Sequence, residues 1–217
     1  MTLEEAIAKI KPLDHNAMEI AQKRWDSIAK PLHSLGKLET LLIQIAGITG
    51  NAEVDLSRRG LIAMCADNGV VEEGVTQTGQ EVTAIVAENF LKYDTSVGVM
   101  CKQNHAEIFP VDMGMVTDTK VRTDHKIAYG TQNMTKGPAM TREQAVKGLE
   151  AGIDMVRELN DKGYRILAIG EMGIGNTTTS SAVASVLLKQ PVEEMTGRGA
   201  GLTSEGLMRK INAIKKA

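Results

Sequence analysis

The stretch Gly170-Glu171-Met172-Gly173-Ile174-Gly175-Asn176-Thr177-Thr178-Thr179-Ser180-Ser181 concentrates the residue types that hold an anion. Glycines let the backbone come close to a ligand, and free N–H groups at the start of the helix that follows attract negative charge. Asn176, Thr177 and Thr178 add side-chain donors where a phosphate would rest. The glycine spacing differs from the dinucleotide-binding fingerprint, and no Gly-Lys-Ser/Thr occurs, so a P-loop is excluded. Capping a helix on a tight turn needs only one Ser, Thr or Asn. The run of hydroxyl residues from Thr177 to Ser181 exceeds that need, so we read an anion site.

A second segment has the same character. Gly197-Arg198-Gly199-Ala200-Gly201 leads into a helix from about Ser204, whose Leu207, Ile211 and Ile214 fall at core-facing spacing. Lys210 borders that stripe, within reach of the glycine loop before it, and with Arg198 is a candidate phosphate clamp. Three carboxylates complete the chemistry. Asp67, Asp112 and Glu171 each follow a short apolar run and stand beside or near a glycine. Asp and Gly also begin ordinary turns. Three acidic tips on one rim, however, point to a polar site there.

The elements that must position these residues follow from the apolar pattern. Leu61–Ala66, Ala106–Val111 and Tyr164–Ile169 read as buried strands. Between them lie helical spans, one from about Gln80 to Lys102 and one opened by the capping box of Thr141 and Gln144 and running to about Asn160. Strands alternating with helices imply a parallel sheet covered on both faces, with the ligand beyond the carboxyl ends of its strands. Pro110 inside the second run counts against a central strand and suits an edge. Residues 1–50 have no strand signal. Thr2 with Glu5 opens one helix, Asp14 caps another that stops near Pro31, and Leu38, Leu41, Leu42, Ile45 and Ile48 stripe a third. The fold class is therefore α/β, a Rossmann-like parallel sheet over residues 51–217 with a small N-terminal helical part over 1–50.

Composition excludes several other functions. With 25 basic and 27 acidic residues the net charge is −2, which supplies no basic field for a nucleic-acid backbone. Aromatic residues make up 3% of the chain, too few for base-stacking platforms. The longest apolar runs are too short to cross a bilayer, and Glu4 and Glu5 sit where a signal peptide needs positive charge. Cys65 and Cys101 fit no metal spacing and are expected to be buried reduced thiols. The four histidines form no zinc-binding pair, so neither metal nor cofactor is expected.

At this level of detail the chain resembles a known family. Lys30-Pro31-Leu32-His33-Ser34-Leu35-Gly36-Lys37-Leu38-Glu39 is similar to its KPxGSLGxLE signature, and Gly170–Thr178 to its GEMGIGNTT motif without a mismatch. Gly197-Arg198-Gly199-Ala200-Gly201-Leu202 with Lys210 resembles its GRGTGL…K element. Ala66-Asp67-Asn68-Gly69-Val70 and Gly130-Thr131-Gln132-Asn133…Pro138-Ala139-Met140-Thr141 resemble its GDHGV and GTxN…PAMT segments. The family is nicotinate-nucleotide–dimethylbenzimidazole phosphoribosyltransferase, which makes the lower ligand of cobalamin. The resemblance implies transfer of phosphoribose from nicotinate mononucleotide to 5,6-dimethylbenzimidazole, releasing nicotinate and giving α-ribazole 5′-phosphate. It implies that Gly173, Gly175, Asn176, Thr177 and Thr178 hold the ribose-phosphate, and that Gly199, Gly201 and Lys210 complete the phosphate cradle. By the same resemblance Glu171 lies beside the ribose as the catalytic carboxylate, and Asp67 and Thr76 lie near the acceptor base. A cytoplasmic homodimer without a metal is the corresponding expectation.

The departures concern the acceptor and the length. His33 stands where the family has glycine, Asn68 where it has histidine, and Ile85 where many members place a glutamine facing the base. A purine, another benzimidazole or a phenol is thus an alternative acceptor. Family members also continue past the position matching Ala217, into a tail that carries the glutamate assigned as general base. The chain is therefore expected to be a C-terminally truncated member. The alternative is a non-catalytic homologue that binds the nucleotide or dimerises.

Overall fold

The computed structural model describes residues 1–217, which divide into two compact units, Met1–Arg58 and Arg59–Ala217.

The first unit is three helices: α1 (Leu3–Ala8), α2 (His15–Ser27) and α3 (Lys37–Thr49). Thr2 and Glu5 close the capping box at α1, and Asp14 accepts the Ala17 N–H at the start of α2. Helices α2 and α3 pack on each other, with Ala17, Ala21 and Ala46 buried and Gly47 of α3 close against Met18 of α2. The apolar stripe of α3 is not this unit's own core, because Leu38, Leu41 and Ile48 stay exposed. Glu39 is buried instead. Its carboxylate accepts the Leu35 N–H and pairs with Lys30 at 2.8 Å, so the two ends of the Lys30–Glu39 signature are tied together. The lysine beside it holds the Glu39 carboxyl below the usual range.

The second unit is a parallel three-stranded sheet, β1 (Arg59–Ala66), β2 (Ala106–Gly114) and β3 (Ile166–Met172), in the order β2-β1-β3. β1 is central, and its two-residue period sends alternate side chains to opposite faces. Ala63 and Cys65 pack with Ala84, Ala87 and Phe90 of α4 (Glu81–Lys92). Ile62 packs the other way, against Met155 and Leu159 of α6 (Arg142–Asp161) and Tyr164. Burial of the larger side chains here, Ile62, Phe90, Met155 and Leu159, contributes roughly 1.5–3 kcal/mol each. Pro110 is accommodated because β2 is an edge strand, opposite Ala63 of β1.

The strand ends differ from the sequence reading by two or three residues, and two differences matter for the site. The span from Gln80 to Lys102 is two helices, α4 and α5 (Ser96–Gln103), because Tyr93 takes a left-handed φ of 60° and Thr95 caps a new start through Gly98 N–H. β3 runs on through Gly170 and Glu171, so Glu171 is a strand residue rather than part of the turn. After it come α7 (Asn176–Leu188), the short α8 (Val192–Met195) and α9 (Ser204–Lys216). Ile211 and Ile214 of α9 are buried, as their spacing requires. No helix is long and apolar enough to cross a membrane.

Candidate active site

The carboxyl end of β3 opens onto a cleft of about 160 Å³. One wall is the loop from β3 into α7, contributing Gly173, Gly175, Asn176 and Thr177. The second is Arg198, Gly199, Ala200 and Leu202, and the third is Val75, Thr76, Gln77 and Thr78. The two glycine-rich segments are thus brought face to face although α7 and α8 lie between them in the chain.

Lys210 joins them. It is completely buried, and its Nζ donates to Thr177 Oγ1 at 2.8 Å and to the Gly197 carbonyl at 3.0 Å. No carboxylate pairs with it within salt-bridge range, and burial lowers its pKa below the usual lysine value. A buried ammonium held only by neutral oxygens is a charge waiting for an anion. Gly199 makes the approach possible. It has a φ of +56°, and a Cβ there would stand 2.8 Å from Thr177 Oγ1 and 3.5 Å from Lys210 Nζ. Gly173 is fixed by proximity as well, since a Cβ would lie 2.2 Å from the Ala66 carbonyl oxygen.

Helix α7 starts without a side-chain cap. Its first turn is partly self-satisfied: Asn176 N–H donates to Gly173 O, and Thr178 N–H to Gly175 O, both at 3.0 Å. The remaining donors at this end carry the helix's positive partial charge into the cleft. Glu171 accepts a short hydrogen bond from the Asn176 side-chain amide, which orients both groups at the rim. Although its side chain keeps contact with solvent, partial desolvation holds its carboxyl above the usual glutamate range, with the Asn176 bond working in the opposite direction.

Of the residues expected at the ligand, Asp67, Thr178 and Ile85 do not line this cleft, while Glu171, Gly201 and Lys210 reach it through hydrogen bonds with Asn176, Gln77 and Thr177, which do. Asp67 is fully buried. Its Oδ2 accepts the Val116 N–H at 2.8 Å, so it organises the end of β1 and lines a different cavity, walled by Gly130, Ala139 and Met140. Thr178 is likewise buried, beneath the cleft rather than in it. Ile85 is exposed on α4 and lines neither cavity. Asp112 shows the same chemistry as Asp67, accepting the Gly114 and Met115 N–H groups at 2.9 and 2.7 Å, with Lys126 at 3.1 Å. Turn chemistry therefore accounts for Asp112, and a long-range tie to the Val116 loop for Asp67. Arg198 is engaged by its own loop, donating to Leu202 O and Ser204 Oγ. Gly201 contributes through its carbonyl, which accepts from Gln77 Nε2 at 2.6 Å.

Sequence reasoning misses Gln77. It lies in a polar loop without a motif, and its partner is 124 residues away. Asn68, noted in the sequence only as a departure from the family's histidine, also serves the site's framework. Its side-chain amide donates to Ile174 O and its Oδ1 accepts from Thr179, tying the β1 end to the α7 end.

A parallel α/β sheet with a glycine-walled cleft at the carboxyl end of a strand is the usual setting of a nucleotide or other small-ligand site. Residues 10–217 match the model of a family described as phosphoribosyltransferase. The chain is 51% identical over its whole length to a nicotinate-nucleotide–dimethylbenzimidazole phosphoribosyltransferase of Ruminiclostridium cellulolyticum, covering 62% of that protein. It is 46% identical over 99% of its length to the protein of that name from Clostridium tetani, covering 60% of it. The crystal structure of CobT from Thermus thermophilus superposes with a TM-score of 0.85 at 36% identity, over 93% of this chain and 62% of that one. The chain belongs to the nicotinate-nucleotide–dimethylbenzimidazole phosphoribosyltransferase family, and it spans about three fifths of the length of the relatives it matches.

Proposed function

We propose that this chain carries the nucleotide half of a phosphoribosyl transfer from nicotinate mononucleotide to 5,6-dimethylbenzimidazole or a related aromatic base. The observation that carries this reading is the buried Lys210, aimed between Thr177 and the Gly197–Gly201 loop without a carboxylate to neutralise it. The 5′-phosphate of the mononucleotide is the anion of matching charge. Gly173, Gly175, Asn176, Thr177, Gly199 and Gly201 surround it, and Thr178 supports them from below. Glu171, held by Asn176, stands where it meets the ribose hydroxyls or the electron-poor anomeric carbon. Thr76 and the neighbouring Gln77 face the same cleft and form its acceptor side. Asp67 and Ile85 act on that side indirectly, through the β1 end and α4.

In the reaction the bond from C1′ to the nicotinate nitrogen breaks and a bond from C1′ to the acceptor nitrogen forms. The acceptor's ring N–H proton leaves to solvent or to a carboxylate. Nicotinate and α-ribazole 5′-phosphate are the products, and catalysis rests on alignment and proton removal. A homodimer in the cytoplasm is the setting we infer from the family.

The test is nicotinate release from nicotinate mononucleotide with dimethylbenzimidazole present, alongside calorimetric binding of the mononucleotide alone. Binding that Glu171→Gln leaves intact while transfer falls supports the assignment. No binding of the mononucleotide at millimolar concentration sinks it.

A further inference from the structure

Ile174 stands at the centre of the glycine-rich turn between β3 and α7. Asn176 N–H donates to Gly173 O at 3.0 Å, and Gly175, the third residue of the turn, has φ 91° and ψ −7°. Those are the values of a type II turn. The central peptide, Ile174 C=O to Gly175 N–H, distinguishes this form from a type I turn, in which the same peptide is turned over. Glycine tolerates both conformations, so the direction of that peptide has to be imposed from outside the turn. Two remote side chains do this. Thr83, in the first turn of α4, is fully buried, and its Oγ1 accepts the Ile174 N–H at 3.0 Å. Asn68, just past the end of β1, donates its side-chain amide to the Ile174 carbonyl at 3.1 Å. Asn68 is itself fixed: its Oδ1 accepts from Thr179 Oγ1 at 3.3 Å, and its carbonyl accepts from Gln80 Nε2 at 3.1 Å. The Ile174 backbone is thus gripped on both sides, by groups 91 and 106 residues away in the chain.

A trans peptide is planar, with its C=O and N–H on opposite sides. Because Asn68 takes the Ile174 carbonyl, the Gly175 N–H of the same peptide is turned away from Asn68. Gly175 lines the cleft together with Asn176, Thr177 and Gly199. We infer that Thr83 and Asn68 are positioning residues for the transfer: they fix the Ile174 peptide so that the Gly175 N–H and the first turn of α7 meet the phosphate alongside Lys210. The role rests on the phosphate that the proposed function puts in this cleft, and adds the two side chains that aim its glycine turn without lining the phosphate wall themselves. Gln77, Gln80 and Thr83 follow one another at intervals of three along one segment. Gln77 holds the other glycine-rich loop at Gly201 O, Gln80 holds Asn68, and Thr83 holds Ile174. The stretch that begins on the acceptor side of the cleft therefore sets both of its glycine-rich walls.

Three variants of the full chain test this, by calorimetry with nicotinate mononucleotide and by thermal melts on the same samples. Thr83→Val keeps the side chain's shape and removes the acceptor for Ile174 N–H, Thr83→Ser keeps the acceptor, and Asn68→Ala removes the amide that holds Ile174 O. Thr83→Val and Asn68→Ala are each expected to weaken mononucleotide binding at least about tenfold, while Thr83→Ser stays within about threefold of the unmodified chain. A residue that serves only the fold lowers the melting temperature and leaves the affinity of the folded protein where it was. Where Thr83→Val does not fold, Asn68→Ala carries the test, since Asn68 is only partly buried. Folded Thr83→Val or Asn68→Ala protein that binds within about threefold of the unmodified chain overturns the assignment and leaves the proposed function standing. An unmodified chain that binds no mononucleotide sinks the proposed function, and the positioning role with it.

Discussion

Lys210 Nζ lies 2.8 Å from Thr177 Oγ1, so the buried ammonium of α9 and the first turn of α7 meet at one point. The contact joins two helices that follow two different glycine-rich turns. It places a positive charge, a hydroxyl and a helix N-terminus around the same small volume, which is the electrostatic core of the proposed phosphate site.

Replacing that charge separates binding from folding. Lys210→Met keeps most of the buried volume and removes the ammonium, so the free protein is expected to gain thermal stability. Binding of nicotinate mononucleotide is expected to lose about 2 kcal/mol, roughly thirtyfold in Kd. Calorimetry and thermal melts on the same samples check both. A destabilised variant with unchanged affinity would show that Lys210 serves only the fold.

The acid constant of Lys210 predicts a pH dependence. Burial depresses it, so the free fold carries a cost while the lysine is protonated and is relieved as pH rises through the lowered value. A bound phosphate reverses the preference by stabilising the protonated form. The gain in melting temperature on adding nicotinate mononucleotide should therefore shrink between neutral pH and about pH 10. It should shrink also below about pH 6, where the phosphate itself takes up a proton. Melting curves with and without ligand across this range decide it, and a ligand effect constant up to pH 10 counts against the buried lysine as the anion's partner.

Two glycine substitutions should act with opposite signs. Gly199→Ala places a Cβ in left-handed backbone and against Thr177 Oγ1, at an expected cost of about 1–2 kcal/mol and with weaker mononucleotide binding. Gly152→Ala, inside α6 with nothing within 4 Å of the new methyl, is expected to stabilise by up to about 1 kcal/mol. Urea titrations of the two variants provide the comparison. Equal effects would mean the Gly199 loop is not held as described.

Cys65 is buried at the centre of the sheet, and burial with the nearby Asp112 pushes its thiol up to about 12. Iodoacetamide at about pH 8 should leave it unmodified in the folded protein and label it in urea. Mass spectrometry of the tryptic peptide reads the outcome. Fast labelling of the native chain would contradict the packing of β1 against α4.

Local sequence determined the parts that depend on neighbours in the chain. The capping boxes at Thr2 and Thr141, the apolar runs of the strands and the two glycine-rich turns are all short-range signals, because caps, pleats and turns are settled within a few residues. Pro110 even marked its strand as an edge. The break at Tyr93 escaped the pattern, since a left-handed tyrosine has no turn signature of its own. What the acidic strand tips do was decided only by the tertiary structure. Asp67 and Asp112 turn inward to backbone N–H groups of distant or following loops, while Glu171 turns to Asn176. A carboxylate at a strand end serves equally well in either role, and all three tips share the same pattern of an acidic residue two positions before a glycine. The meeting of Lys210 with Thr177, and of Gln77 with Gly201, likewise belongs to the fold, because only the packing of α9 and the sheet rim brings such remote groups within a hydrogen bond's length.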